Sequence, residues 1–134
     1  GSGWTAALLA TLVGASGRVL ALERLPLLVA FARRHLALFR FPQLELRCAD
    51  GSQGAPEAGP FDVIHVAAAA HRGPPTALRA QLAVGGRLLI PVGHPTQDLL
   101  FIRRAPRGDE EQRLPGFQFV PLIESAYGQT SPHP

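Results

Sequence analysis

The sequence predicts an α/β protein built on a doubly wound, mostly parallel sheet that ends in an antiparallel hairpin. Two observations carry this expectation. Up to Val92, short apolar or alternating runs take turns with helix-length apolar patterns, which is the order of parallel βαβ units. After Val92 the alternation stops, and two strand-like runs follow with no helical pattern between them.

Each element follows from local chemistry. Residues 4–13 (WTAALLATLV) are Ala- and Leu-rich and stop at Gly14, which predicts a buried helix. Residues 18–23 (RVLALE) alternate as a strand. Pro26 suits the first turn of a helix, in which Leu28, Phe31, Ala32, His35, Leu36 and Phe39 recur at helical spacing with Arg33, Arg34 and Arg40 on the wet side. Pro42 ends that helix, and residues 44–48 (LELRC) alternate as a second strand. A Gly-, Pro- and Ser-rich loop follows Asp50-Gly51. Residues 61–66 (FDVIHV) form a third strand leading into four alanines, and Pro74-Pro75 opens a helix through Leu82. Gly85-Gly86 turns the chain into a strongly apolar fourth strand, residues 87–92 (RLLIPV). Residues 98–103 (DLLFIR) and 117–123 (FQFVPLI) are expected to pair as the hairpin around a polar loop, 104–116.

Bulk composition narrows the class. The 134 residues are 46% hydrophobic and 17% charged, the balance of a chain that packs a core, so a single domain (1–134), or most of one, is expected rather than a disordered tail. The single Cys48 has no internal partner and suits a reducing, cytoplasmic setting. At the end of an alternating strand it reads as a small buried residue and not as a nucleophile. No window reaches the roughly 18 uncharged apolar residues of a membrane span. All 13 basic residues are Arg, with a formal charge of +3. They are scattered and have no interleaved aromatics, so nucleic acid is not the expected partner. With no lysine, the chain is not a P-loop NTPase, and no zinc spacing or triad pattern is present.

In doubly wound sheets ligands sit beyond the carboxyl ends of the strands, so the residues just after each strand are the informative ones. Gly1-Ser2-Gly3 runs straight into a helix, where a close backbone approach and free N–H groups favour a ligand. A plain tight turn explains it equally well. Glu23, about twenty residues later at a strand end, can accept hydrogen bonds from both hydroxyls of a ribose; the competing reading is a solvated carboxylate paired with Arg24, and the spacing favours ribose. Asp50-Gly51 can receive an adenine amino group and leave room for its flat ring, or can be an ordinary Asp-Gly turn. His65, inside a strand, reads as a core histidine satisfied by hydrogen bonds. His71 and His94 read as surface-loop residues.

Together these residues resemble the protein-L-isoaspartate O-methyltransferases, a family of class I S-adenosylmethionine-dependent enzymes with a Rossmann-like sheet. Gly1-Ser2-Gly3 through Ala10 resembles the second half of the family's glycine-rich motif, Gly17 through Glu23-Arg24 its ribose-binding strand, and Ala49-Asp50-Gly51-Ser52 its Gly-Asp-Gly segment. Gly59 through Val66, with the alanines that follow, resembles its fourth strand. The runs Gly85-Gly86-Arg87-Leu88-Leu89-Ile90-Pro91-Val92-Gly93 and Phe119-Val120-Pro121-Leu122 are the parts most specific to this family. The resemblance implies S-adenosylmethionine as cofactor, with Gly1, Ser2 and Gly3 under its methionine part and Glu23, Arg24, Asp50 and Gly51 around its nucleoside. It implies methyl transfer to the carboxylate of isoaspartyl residues in damaged proteins. The pattern departs from the family at Ala49, a usual glycine, and at Ala67. The family's N-terminal region, with an active-site serine, and the strand before the glycines are not in these residues. The expectation is therefore a partial methyltransferase domain, not active by itself. Two other functions stay open: methylation of a small molecule or RNA, and a non-catalytic domain that keeps the fold.

Overall fold

A computed structural model describes residues 1–124. The chain divides into two compact units, residues 1–51 and residues 52 onward. Among the described residues no helix is long and apolar enough to cross a membrane.

The first unit contains α1 (Trp4–Val13), β1 (Val19–Glu23), α2 (Pro26–Leu36) and β2 (Leu44–Cys48). β1 and β2 pair in parallel, with Val19 opposite Leu44 and Glu23 opposite Cys48. Gly3 starts α1 with a left-handed backbone (φ 85°) that glycine adopts without steric cost, and Pro26 sits in the first turn of α2 as expected. Gln43 ties the unit together by donating its side-chain amide to the Ala10 carbonyl at 2.9 Å. The helix at residues 4–13 differs from expectation in burial. Only Ala10 is fully buried, while Trp4 and Leu12 are 68% and 80% exposed, because a two-stranded sheet covers only one narrow side of a helix. Cys48 is also exposed rather than buried.

The second unit holds β3 (Phe61–His65), α3 (Thr76–Ala80), β4 (Leu82–Val92), β5 (Gln97–Arg103) and β6 (Glu110–Phe117), in the sheet order β3-β4-β5-β6. β3 and β4 are parallel, with a register shift between Phe61 and Val63; β4–β5 and β5–β6 are antiparallel. The irregularity has a local cause. A Cβ on Gly86 would stand 2.9 Å from the Phe61 carbonyl oxygen, so only glycine lets the strands meet there. The core lies on the inward face of β4 and β5, where Leu88 stands opposite Ile102 and Ile90 opposite Leu100, all four inaccessible to solvent. α3 is shorter than the expected 74–82 helix because Leu82 already belongs to β4.

The hairpin forms, but with a different second strand. β5 pairs with 110–117, not with 117–123. β6 is exposed along its whole length and so carries no apolar alternation. It is an edge strand guarded by charge and by Pro115, with Arg103–Glu110 at 3.6 Å and Asp98–Arg113 at 3.8 Å spanning the two strands. Arg79 joins this end to α3 by pairing with Asp109 (3.1 Å) and Glu111. The 117–123 run lies against the alanines instead: the Ala69 N–H donates to Val120 O at 2.7 Å, and the Leu122 N–H donates to Ala69 O at 2.8 Å. Gln97, 6% exposed, completes this arrangement like a strand partner. Its Oε1 accepts from the Phe119 N–H at 2.6 Å and its Nε2 donates to Phe119 O at 3.0 Å. Gln97→Ala is expected to cost about 1–2 kcal/mol by orphaning both groups, measurable by urea denaturation.

Candidate functional site

Every residue that sequence reasoning assigned to a ligand lies at one end of the first unit. The parallel register puts Glu23 and Cys48 side by side, and the Ala49 N–H donates to Glu23 O at 3.0 Å, which sets Asp50 just past the end of β2 beside the end of β1. The Gly1–Gly3 turn lies at the same place, its Gly1 nitrogen beside the Glu23 carboxylate. The Trp4 N–H donates to Ser2 Oγ at 3.4 Å, and the Ala7 N–H to Gly3 O at 2.9 Å, seating the turn on α1. Gly3 packs closely as well: a Cβ there would stand 3.2 Å from Leu36.

Glu23 is the best-held side chain of the group. Its carboxylate is 18% exposed, with Oε1 accepting the Leu25 N–H at 2.9 Å. Burial by itself pushes its pKa up. Against it, the Leu25 and Arg24 N–H groups donate to the carboxylate and pull the pKa down. It is therefore ionised at neutral pH, and its two oxygens have lone pairs left for hydroxyl donors. The sign for stability follows. A lowered folded pKa contributes stability that is fully present above the unfolded value of about 4.3 and is lost as pH falls through the folded value. Denaturation between pH 6 and pH 3 is expected to show a steeper acid loss for the natural chain than for Glu23→Gln.

Arg24 does for Asp50 what sequence reasoning offered for Glu23: its guanidinium stands 3.9 Å from Asp50 Oδ2. Both side chains are partly exposed, so this pair is worth little energetically. It does hold Asp50 near the strand end. Arg24 also presents its backbone carbonyl to Cys48 Sγ at 3.7 Å, which fixes Cys48 as a neighbour of the site. Gly51 opens a 3₁₀ turn, Gly51–Gln53, and its Cα faces Leu22 with room for only a van der Waals contact, a Cβ there lying 4.0 Å from Leu22 Cβ.

The histidines divide differently from expectation. His65 is exposed rather than a core residue, because it shares a face of β3 with Val63, and both remain accessible. Burial of part of the ring still lowers its pKa. His71 and His94 are exposed loop residues, as expected, and their rings come within 5.3 Å of one another. That proximity arises because the chain ends of two strands are tied together, the Gly93 N–H donating to Ala70 O at 2.9 Å. No group of three or more potential metal ligands occurs among the described residues.

Two concavities have none of these carboxylates in their linings. One of about 260 Å³ in the first unit is lined by Leu36, Phe39, Phe41, Leu44 and Leu46, at the start of β2 rather than its end. One of about 570 Å³ in the second unit is bounded by residues 71–75 and 122–124. Gln81, which sequence reasoning passed over, accepts from the Ala55 N–H and donates to Gln53 O, both at 2.8 Å; a glutamine at a helix end carries no signal for this in sequence.

Residues 1–127 match the profile of the protein-L-isoaspartate(D-aspartate) O-methyltransferases (PCMT). Protein-L-isoaspartate O-methyltransferase 2 of Marinobacter nauticus is 49% identical over 126 residues, covering 92% of this chain and 56% of its own length. The Dechloromonas aromatica enzyme is 47% identical, covering 92% of this chain and 55% of its own. The chain thus spans about half the length of the curated relatives it matches. Among solved structures, a protein-L-isoaspartate O-methyltransferase superposes with a TM-score of 0.84 at 24% identity over 92% of this chain and 40% of its own, a likeness of fold. A Plasmodium falciparum protein assigned to the same activity, solved with S-adenosyl-L-homocysteine, superposes with a TM-score of 0.69 at 30% identity over 79% of this chain and 52% of its own. The fold is that of a Rossmann-like methyltransferase, and the chain belongs to the protein-L-isoaspartate(D-aspartate) O-methyltransferase family.

Proposed function

We propose that this chain forms the S-adenosylmethionine-binding part of an enzyme that methylates the side-chain carboxylate of isoaspartyl residues in damaged proteins. The observation that carries the reading is the convergence of the Gly1–Gly3 turn, Glu23 and Asp50 at the carboxyl ends of two parallel strands, in a chain of this family. The donor set fits the cofactor. An ionised, half-wrapped glutamate suits a pair of ribose hydroxyls, Asp50 suits an exocyclic amine, and the backbone of Gly1, Ser2 and Gly3 lies open for the amino-acid end. Arg24 and Gly51 complete the group, the first by holding Asp50 and the second by sparing space.

When bound, the cofactor supplies an electrophilic sulfonium methyl group. A carboxylate is already a competent nucleophile toward it, so the chain needs no strong base. Its contribution is to hold position, and alignment alone supplies large accelerations. The absence of a catalytic constellation among Glu23, Arg24 and Asp50 is consistent with that economy. The acceptor is an isoaspartyl-containing protein or peptide, and a reducing, cytoplasmic compartment is part of the same proposal, supported by the single cysteine.

The test is transfer of a labelled methyl group to an isoaspartyl peptide, with the aspartyl peptide as control, in the protein at its full natural length. Labelling of the isoaspartyl peptide alone is expected. Activity on RNA or a small molecule without the peptide would overturn the acceptor. Failure to bind S-adenosyl-L-homocysteine would overturn the whole reading.

A further inference from the structure

We propose that the outward face of the β3–β4–β5 sheet is a docking face, and that its occupant is an amphipathic segment of the full-length protein lying outside these 134 residues. The proposal does not depend on which acceptor is methylated.

The strands themselves carry the case. A strand with one wet face alternates apolar and polar residues, whereas a strand covered on both faces is apolar at successive positions. β4 and β5 are of the second kind. Leu88 and Ile90 of β4, with Leu100 and Ile102 of β5, form the inaccessible core face. α3 lies on that side, where its Leu78 joins the same cluster. Leu89 and Phe101 fall between these residues, so they occupy the other face, where they stand opposite one another and are only half-buried. The pairing extends their row to His65 on β3, which is exposed. The next row sets Val63, 54% exposed, beside Arg87. These strands are therefore composed for a cover on a side that stays accessible.

Charge describes the missing cover further. Arg87 and Arg103 stand directly opposite in the β4–β5 pairing, and like charges so placed repel. Arg103 has Glu110 at 3.6 Å. The Arg87 side chain has no ion-pair partner among the described residues. A segment that lays an apolar stripe over Leu89 and Phe101 and brings a carboxylate to Arg87 satisfies both demands.

Length points to the source of that segment. Only 56% and 55% of two curated relatives is matched by this chain, so proteins of this family have ample further chain to lay across a sheet face. A second copy is the poorer occupant. It brings the same two arginines, and its own carboxylate on this face, Glu110, is already paired with Arg103.

The experiment places p-benzoylphenylalanine at position 101 of the full-length protein, an aromatic for an aromatic, and maps the photo-cross-links by mass spectrometry. Cross-links within one molecule, into residues outside these 134, are expected. Cross-links into residues 1–51, cross-links between two molecules, or none at all would each overturn the proposal. Where the substituted protein fails to fold, the natural full-length protein decides through its own histidines, because labelling of a covered group requires local opening. Relative to the urea-unfolded protein, His65 is expected to react with diethyl pyrocarbonate roughly tenfold more slowly than His71 and His94 do. Equal rates would overturn the docking face, and protection of His65 that disappears on dilution would assign a second copy and overturn the occupant.

Discussion

Replacing Glu23 by Ala is expected to weaken S-adenosyl-L-homocysteine binding by about 1–3 kcal/mol, roughly 5- to 150-fold in Kd. The size follows from the chemistry of the bond. Two hydroxyls would lose an ionised acceptor whose position is set by the Leu25 N–H at 2.9 Å and by the end of β1. Glu23→Gln separates charge from shape, since it keeps one acceptor oxygen and loses the charge, and an intermediate loss is expected. Asp50→Ala is expected to have a smaller effect because it removes the acceptor of a single amino group. A glutamate carboxyl is ionised throughout this range, so affinity is expected to be flat from pH 6 to pH 8. Calorimetric titration of the full-length protein measures all of these, and an unchanged Kd for Glu23→Ala would return this residue to a solvated carboxylate.

Leu100→Ala is expected to destabilise the second unit by about 2–5 kcal/mol, a large fraction of the stability of an ordinary domain. Leu100 is inaccessible to solvent and stands opposite Ile90 at the centre of the β4–β5 pair. Its neighbours are parts of a sheet whose hydrogen bonds resist collapse, so the cavity would persist. Leu114→Ala supplies the contrast. That residue is 56% exposed on the edge strand β6, and a change within about 0.5 kcal/mol is expected. Urea denaturation of both variants checks the pair, and similar losses in the two would contradict the assignment of the core to the β4–β5 face.

The sequence by itself determined the strand-helix order up to Val92, the parallel direction of the strands at 19–23 and 44–48 and of 61–65 and the strand ending at Val92, and the placing of Glu23 and Asp50 at strand ends; that these strands fall into a two-stranded and a four-stranded sheet was not in it. These were legible because strands leave apolar or alternating runs, and because the positions just after such runs can be read from where they end. Glycine and proline were readable for the same local reason at Gly3 and Pro26, where backbone geometry alone selects them.

What only the tertiary structure decided was anything that one stretch of chain asks of a distant one. β6 was invisible because an exposed edge strand has no apolar face, and EEQRLPGF reads as a loop until Arg103 and Asp98 supply its partners. The 117–123 run has a strand's pattern but spends its hydrogen bonds on Ala69 and Gln97. His65 has a core residue's position in the alternation, yet the face it occupies stays accessible. Gln81 satisfies backbone groups of Ala55 and Gln53, 26 and 28 residues away in sequence, and nothing in its neighbours announces it. Local periodicity records which face of an element is apolar. It does not record which backbone groups a distant side chain will satisfy, because that depends on where the sheet brings them.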